Sequence, residues 1–319
     1  MPVAIETKDL TKVFNNTVVA VYQLSMTIDE GEIFAFLGPN GAGKTTTVRL
    51  LACLLTPTKG TAIVNGYDIT EDQLKIRKNI GILTDRPNLY LRLTARRNLL
   101  FFAKMYGMAH EEASKRIESL ARQFDLIDRL DSPVGSFSKG MKQKLGIFRA
   151  MIHNPEILFF DEPTAGLDPI TSRTVRETIE TTAKELDTTV FLTTHNLPEA
   201  EKLANKIGVI NRGELITLGT TSELKNQLSK IKKVTITCLD DVNAYRSHLE
   251  KIGGIDSLII TEKNSLELHV EDIEGVIPTV VRSLVEQGAS IVRVEPYKTS
   301  LEEVYYEVMK TNGGTKNAA

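Results

Sequence analysis

The densest chemistry in this chain lies in Gly38-Pro39-Asn40-Gly41-Ala42-Gly43-Lys44-Thr45-Thr46. The glycines let a backbone turn its N–H groups inward around a polyphosphate. The spacing G-x-x-x-x-G-K-T then puts Lys44 within reach of the β- and γ-phosphates and offers the Thr45 hydroxyl to Mg²⁺. Further along stands an adjacent acidic pair, Asp161-Glu162. One carboxylate beside a phosphate-bound Mg²⁺ holds the metal, directly or through water, and a second can orient or deprotonate an attacking water. His195 could hydrogen-bond a γ-phosphate. Taken alone, the glycine loop does not separate a kinase, a GTPase or a transport ATPase.

These residues need elements to place them. A largely apolar run, Glu32-Ile33-Phe34-Ala35-Phe36-Leu37, reads as a strand entering the loop, and residues 46–55 read as the helix leaving it, whose N-terminus favours an anion. Glu156-Ile157-Leu158-Phe159-Phe160 reads as the next strand, its apolar residues continuous as in a strand buried on both faces, and it ends in the acidic pair. Residues 188–194 form a second such strand with His195 at its C-terminal end, the end at which open α/β sheets bind ligands. Before the phosphate loop, residues 3–37 read as strands and turns, with 18–22 and 24–28 as separate strands. Phe14 ends the first strand; it could stack on adenine or be an ordinary core aromatic. A short strand (61–64), a helix near 71–78 and a strand over 80–83 follow. Residues 94–131 carry apolar positions at helical spacing and look like an inserted helical subdomain, about 86–150. Ser136 and Ser138 are good N-cap types ahead of a helix expected from Met141 to Ile152, and Gly140 permits a close backbone approach.

The chain has 319 residues and a net charge of −2, so it is long enough for more than one domain and has no overall basic field that calls for nucleic acid. Its two cysteines, Cys53 and Cys238, are far apart and in apolar contexts, which predicts buried thiols in a reducing compartment. The N-terminus lacks the pattern of a signal peptide, and no apolar run is long enough to span a bilayer. If the protein works at a membrane, another chain supplies the spanning part. After Gly219 the character changes. Residues 232–310 read strand (232–239), helix (242–252), strand (256–262), strand (265–270), helix (274–287), strand (291–296), helix (301–310), an order that predicts a small ferredoxin-like α+β domain. The expected organisation is therefore a cassette over 1–220, an accessory or dimerising domain over 221–310 and a disordered tail over 311–319.

Together, these stretches resemble the ATP-binding cassette (ABC) transporter ATPases. Residues 38–46 are similar to the Walker A loop, Ser138-Lys139-Gly140-Met141 to the signature loop and residues 157–162 to the Walker B strand. Ala165-Gly166-Leu167-Asp168 resembles the D-loop, and Thr193-Thr194-His195 the switch histidine. The C-terminal part, ending Thr299-Ser300-Leu301-Glu302-Glu303-Val304-Tyr305, is similar to the extension on ATPase subunits of bacterial exporters related to the daunorubicin-resistance and sodium-export systems. The resemblance implies a P-loop NTPase cassette: a mostly parallel α/β core sheet with an antiparallel β subdomain and an inserted helical subdomain. It implies ATP and Mg²⁺ as ligands, with metal at Thr45, Asp161 and Asp85, and nucleotide at the Walker A residues, Phe14 and Asp168. Two copies would pair head to tail, with Ser138 and Gly140 of one completing the site of the other. Glu162, His195 and Lys44 would carry the hydrolysis that drives a separate membrane permease, from the cytoplasmic face of the cell membrane.

The sequence departs from the family in four places. Asp85 stands where Gln is usual, Lys139 where the signature has its second Gly, Met141 where it has Gln, and Arg97 where Glu is frequent. An ionised aspartate can hold Mg²⁺ but donates no hydrogen bond. Two competing readings weaken on inspection. A non-transport cassette acting on ribosomes or DNA would have two cassettes or a long coiled-coil insertion. A P-loop kinase would leave the signature loop and His195 unexplained.

Overall fold

The computed structural model describes residues 2–84, 87–228, 232–297 and 300–313. The chain divides into two compact units, one running to Thr221 and taking in the stretch from Val308, the other spanning Ser222–Glu307.

Among the described residues, the larger unit holds two sheets. Its central sheet orders β10 (Glu214–Thr220), β9 (Lys206–Asn211), β3 (Ile33–Leu37), β8 (Thr189–Thr194), β7 (Ile157–Asp161) and β6 (Ile80–Leu83) side by side. All neighbours pair in parallel except β10, which returns antiparallel along the edge. Every residue of β3, β7 and β8 is buried, which explains why none of them alternates apolar with exposed polar positions. Phe191 lies at the centre of an aromatic layer, with ring centroids 5.1 Å from Phe34, 5.6 Å from Phe36 and 5.7 Å from Phe159. This layer belongs to a core shared with α1 (Lys44–Leu51) and with the antiparallel sheet, so the phosphate loop rises from a packed base. The second sheet is antiparallel, in the order β2 (Val18–Asp29), β1 (Val3–Phe14), β4 (Lys59–Val64), β5 (Tyr67–Asp68).

Between β6 and β7 lie the helices α3 (Ala95–Met105), α4 (His110–Gln123) and α5 (Lys139–Met151), preceded by α2 (Gln73–Asn79) before β6. After β7 come α6 (Pro169–Leu186) and, after β8, α7 (Leu197–Leu203). α8 (Thr221–Leu228) follows β10.

Several sequence expectations need correcting. Residues 18–28 form one strand rather than two; Gln23 takes a positive φ of 45° and the pairing slips nearby, so the strand kinks without ending. The helix after the phosphate loop begins at Lys44 and stops at Leu51, short of 55, because the chain turns at Cys53 with φ 56°. The signature helix starts at Lys139 rather than Met141, since Ser138 already caps it.

In the smaller unit, β12 (Ile255–Glu262), β13 (Ser265–Val270), β11 (Lys232–Cys238) and β14 (Ile291–Pro296) form an antiparallel sheet in that order. In order of appearance the strands lie 2-3-1-4, the arrangement that two βαβ units generate when they interleave. The helix expected over 242–252 is a 3₁₀ turn, Val242–Tyr245, followed by the short α9 (Arg246–Leu249). With α10 (Ile273–Glu286) it covers a core of Val234, Ile236, Leu266 and Leu268. The last helix, α11 (Leu301–Gly313), runs three residues past the expected end at 310, and residues 314–319 lie outside the described residues.

Candidate active site

Strand register puts the functional residues together. β3 and β8 align Leu37 with Thr194, and β8 and β7 align Thr193 with Asp161. The phosphate loop, the acidic pair and His195 therefore leave three adjacent strands at the same end of the sheet.

The loop from Gly38 to Gly43 fits only if two of its glycines stay glycine. A Cβ on Gly38 would stand 2.4 Å from the Ile210 carbonyl oxygen. Gly43, at φ 111°, would meet the Ala20 carbonyl oxygen at 2.3 Å. Gly43 then serves as N-cap of α1, and the first-turn amides face the mouth of the loop with no preceding turn to accept them. Pro39, Asn40, Gly41, Ala42, Gly43, Lys44, Thr45, Thr46, Ala20 and Glu162 line the resulting cleft. Phe14 does not line it. That ring closes the β1–β2 hairpin, 36% exposed, with the Lys12 ammonium 5.3 Å from its centroid.

Lys44 is buried, at 6% exposure, and its ammonium donates to the Gly38 carbonyl at 2.7 Å and to the Pro39 carbonyl at 3.3 Å. It also lies 3.4 Å from Oε1 of Glu162. The other oxygen of Glu162 meets Nδ1 of His195 at 2.8 Å. Glu162 is thus held between a lysine and a histidine, on a backbone with φ 53° whose N–H donates to the Thr193 carbonyl and hydroxyl oxygens. A non-glycine residue held in the left-handed region at the end of a buried strand is strain retained at a site. Asp161, 2% exposed, accepts from the Thr193 hydroxyl at 2.6 Å and from the Thr45 hydroxyl at 3.2 Å.

Ser138 caps α5, accepting from the Met141 N–H at 3.2 Å. Gly140 sits in that helix's first turn, and a Cβ there would lie 2.5 Å from Cγ2 of Thr171 on α6. The close approach that Gly140 permits is therefore to a neighbouring helix. Lys139 donates to the Gly166 carbonyl at 3.0 Å, tying the start of α5 to the 165–168 loop. Asp168 caps α6: its two oxygens accept from the Thr171 N–H and hydroxyl, and these hydrogen bonds hold its carboxyl below the usual range. Neither Ser138, Gly140 nor Asp168 lines the cleft around Lys44. Asp85 lies outside the described residues.

Sequence reasoning passed over Thr164, Thr193, Gln143 and Glu199. Gln143, nearly buried, donates to the Pro163 carbonyl at 2.7 Å and so ties α5 to the turn after Glu162. Glu199 is 1% exposed and accepts from the hydroxyls of Thr164 and Thr194. Burial pushes its carboxyl above the usual range, and the two hydroxyls partly offset that. Nothing local in the sequence gives these residues a role, because the pairing of β7 with β8 places Thr193 and the packing of α5 and α7 places the others.

Comparison with known proteins decides the family. The ABC transporter model matches residues 21–165, and that of the DrrA1-3-like ATP-binding protein C-terminal domain matches 219–309. The chain is 41% identical over 208 residues to the ABC transporter ATP-binding protein NatA of Bacillus subtilis, a match covering 65% of this chain and 84% of NatA. The chain belongs to the ABC transporter ATP-binding proteins. This ABC protein is also 40% identical to the daunorubicin/doxorubicin resistance ATP-binding protein DrrA of Streptomyces peucetius, over 69% of this chain and 66% of DrrA. Among solved structures it resembles an ATP-binding subunit of an ABC transporter, with TM-score 0.64, 31% identity and coverage of 70% of this chain and 92% of that one. It also resembles the dimeric, post-hydrolysis cassette MJ0796 bound to ADP and Pi, with TM-score 0.61, 27% identity and coverage of 68% and 98%. The mixed sheet, with antiparallel partner sheet and inserted helices, is the P-loop NTPase cassette, and the protein is an ATP-binding ATPase subunit. ABC ATPase subunits dimerise and act with membrane permeases, and among the described residues no helix is long and apolar enough to cross a membrane.

Proposed function

We propose that this ABC ATPase powers export through a separate permease, and that Lys44, Glu162 and His195 are its hydrolytic group. The observation that carries this reading is the single carboxylate, Glu162, bridging Lys44 and His195 beside the phosphate loop. Loop amides and the N-terminus of α1 receive the β- and γ-phosphates. Lys44 exchanges its bonds to loop carbonyls for bonds to phosphate oxygens, which also frees Oε1 of Glu162. Glu162 then accepts a proton from water attacking the γ-phosphorus in line, and the bond to the ADP oxygen breaks. His195, oriented through Nδ1 by Glu162, leaves Nε2 for the γ-phosphate.

The donors of Thr45 and Asp161 suit a hard cation, because both are oxygens and sit 3.2 Å apart. They would hold Mg²⁺, which neutralises charge on the phosphates. Mg²⁺ in phosphate sites is commonly held by one or two protein oxygens together with waters and phosphate oxygens, a set this pair could start.

Ser138 and Gly140 do not line the cleft of their own chain, so we assign them to the nucleotide of a second copy. We place the permease contact, and with it the inner membrane face, on the side carrying the exposed rings of Tyr90 and Phe101, whose centroids lie 5.1 Å apart. Residues 221–310, with a core of their own, are given an accessory, dimerising role. Export is supported by relatives whose names concern bacitracin transport and daunorubicin resistance; these names do not favour a ribosome- or DNA-acting cassette. Replacing Glu162 by Gln tests the reading. Turnover should fall by at least about 100-fold while ATP still binds, and robust hydrolysis by the variant would remove Glu162 from the role of base.

A further inference from the structure

We infer that Glu199 is a positioning residue for hydrolysis, a brace that fixes the distance between Glu162 and His195. The inference rests on the roles proposed for those two residues. Glu199 is the third residue after Asn196, the N-cap of α7, and its N–H donates to Oδ1 of Asn196 at 3.2 Å. A glutamate at that position often reaches back to the N–H of the cap residue. Here the Asn196 N–H donates instead to the Thr194 hydroxyl oxygen at 3.0 Å, which leaves the Glu199 carboxylate free to point inward.

Its two oxygens then join two segments. Oε2 accepts from the Thr194 hydroxyl at 2.7 Å, so the residues on both sides of His195 are pinned, Thr194 directly and Asn196 through it. Oε1 accepts from the Thr164 hydroxyl at 2.8 Å, two residues beyond Glu162, in a turn closed by the Ala165 N–H donating to the Glu162 carbonyl at 3.2 Å. One buried side chain therefore ties the turn that aims Glu162 to the strand end that aims His195. A carboxylate held in the interior by neutral hydroxyls is expensive, and a well-packed apolar residue would make a more stable core there. What the carboxylate provides instead is two acceptors at a fixed separation. A catalytic pair misplaced by about 1 Å can lose about 100-fold in rate, so the brace acts on kcat rather than on nucleotide binding.

The test is steady-state ATPase kinetics on the full chain. Glu199→Ala is expected to lower kcat about tenfold or more with KM for ATP changed by less than about twofold. Glu199→Gln should restore kcat to within about threefold, because Oε1 can still accept from Thr194 while Nε2 donates to the Thr164 oxygen. In a His195→Ala background, Glu199→Ala should cost nothing further, because the pair it aligns is already broken. Turnover by Glu199→Ala within about twofold of the parent, or a loss that simply multiplies with that of His195→Ala, would overturn the brace. Should Glu199→Ala not fold, the near-isosteric Thr164→Val and Thr194→Val carry the test: lower kcat at unchanged KM supports the brace, and full turnover by both overturns it. Glu162→Gln and His195→Ala, measured alongside, separate the two levels of the account. If they lose turnover while the Glu199 and threonine variants do not, only the brace fails; if they keep turnover, the site reading fails and the brace with it.

Discussion

Lys44 is the residue whose surroundings say most about its work. Its stem is buried, and its donors already meet two loop carbonyls and a carboxylate, all oxygen acceptors like those of a phosphate. Lys44→Met keeps the stem and removes the charge. A charge-assisted hydrogen bond contributes about 1.5–3 kcal/mol, so the dissociation constant for ATP should rise about tenfold or more. Calorimetric titration would check this, and unchanged affinity would contradict the phosphate contact. Lys44 and its glycines were legible in the sequence because the motif encodes a backbone shape directly. Thr193, Thr164 and Glu199 were not, since each acquires its meaning from the pairing of β7 with β8 or from α7 folding back beneath them. The thiols, read as buried, are so: burial raises both, Cys53 to about 11.

At the scale of elements, the end of α5 protects an edge of the central sheet. β6 is the edge strand, and its alternate carbonyls, Ile80 and Ile82, meet Nε2 of His153 at 3.1 Å and Nη2 of Arg149 at 2.8 Å. The Tyr106 ring stacks flat on His153, with centroids 3.5 Å apart, and Nδ1 of that histidine is buried with no partner. Burial depresses the His153 pKa from 6.5 to about 4. The folded state thus resists a proton that the unfolded chain accepts, so this contribution is complete above pH 6.5 and is lost as pH falls toward 4. Its size is at most about 3 kcal/mol. Denaturant titrations of the parent and of His153→Gln should show their stability difference narrowing in favour of the variant across that window. A constant difference would exclude the titration. The strands flanking the site were legible from uninterrupted apolar runs, whereas several element ends were not. Cys53 turns the chain with neither glycine nor proline to announce it, and Lys139 with Gly140 looked like loop although Ser138 had already begun a helix.

For the whole molecule, the chain divides between Thr221 and Ser222, and the first unit also takes in the stretch from Val308. What one chain cannot display is the use of Ser138 and Gly140, whose loop is braced by Lys139 and Gln143 yet does not line the Lys44 cleft. We assign them to half of a site completed in trans. The most direct test mixes two full-length variants, Lys44→Ala and Ser138→Arg, and measures ATP hydrolysis. Each alone lacks one half of every shared site and should be inactive, while a mixed pair contains one intact composite site and should recover a clear fraction of parental turnover. Parental turnover by Ser138→Arg alone, or a mixture as inactive as its components, would contradict the claim that one copy completes the nucleotide site of another.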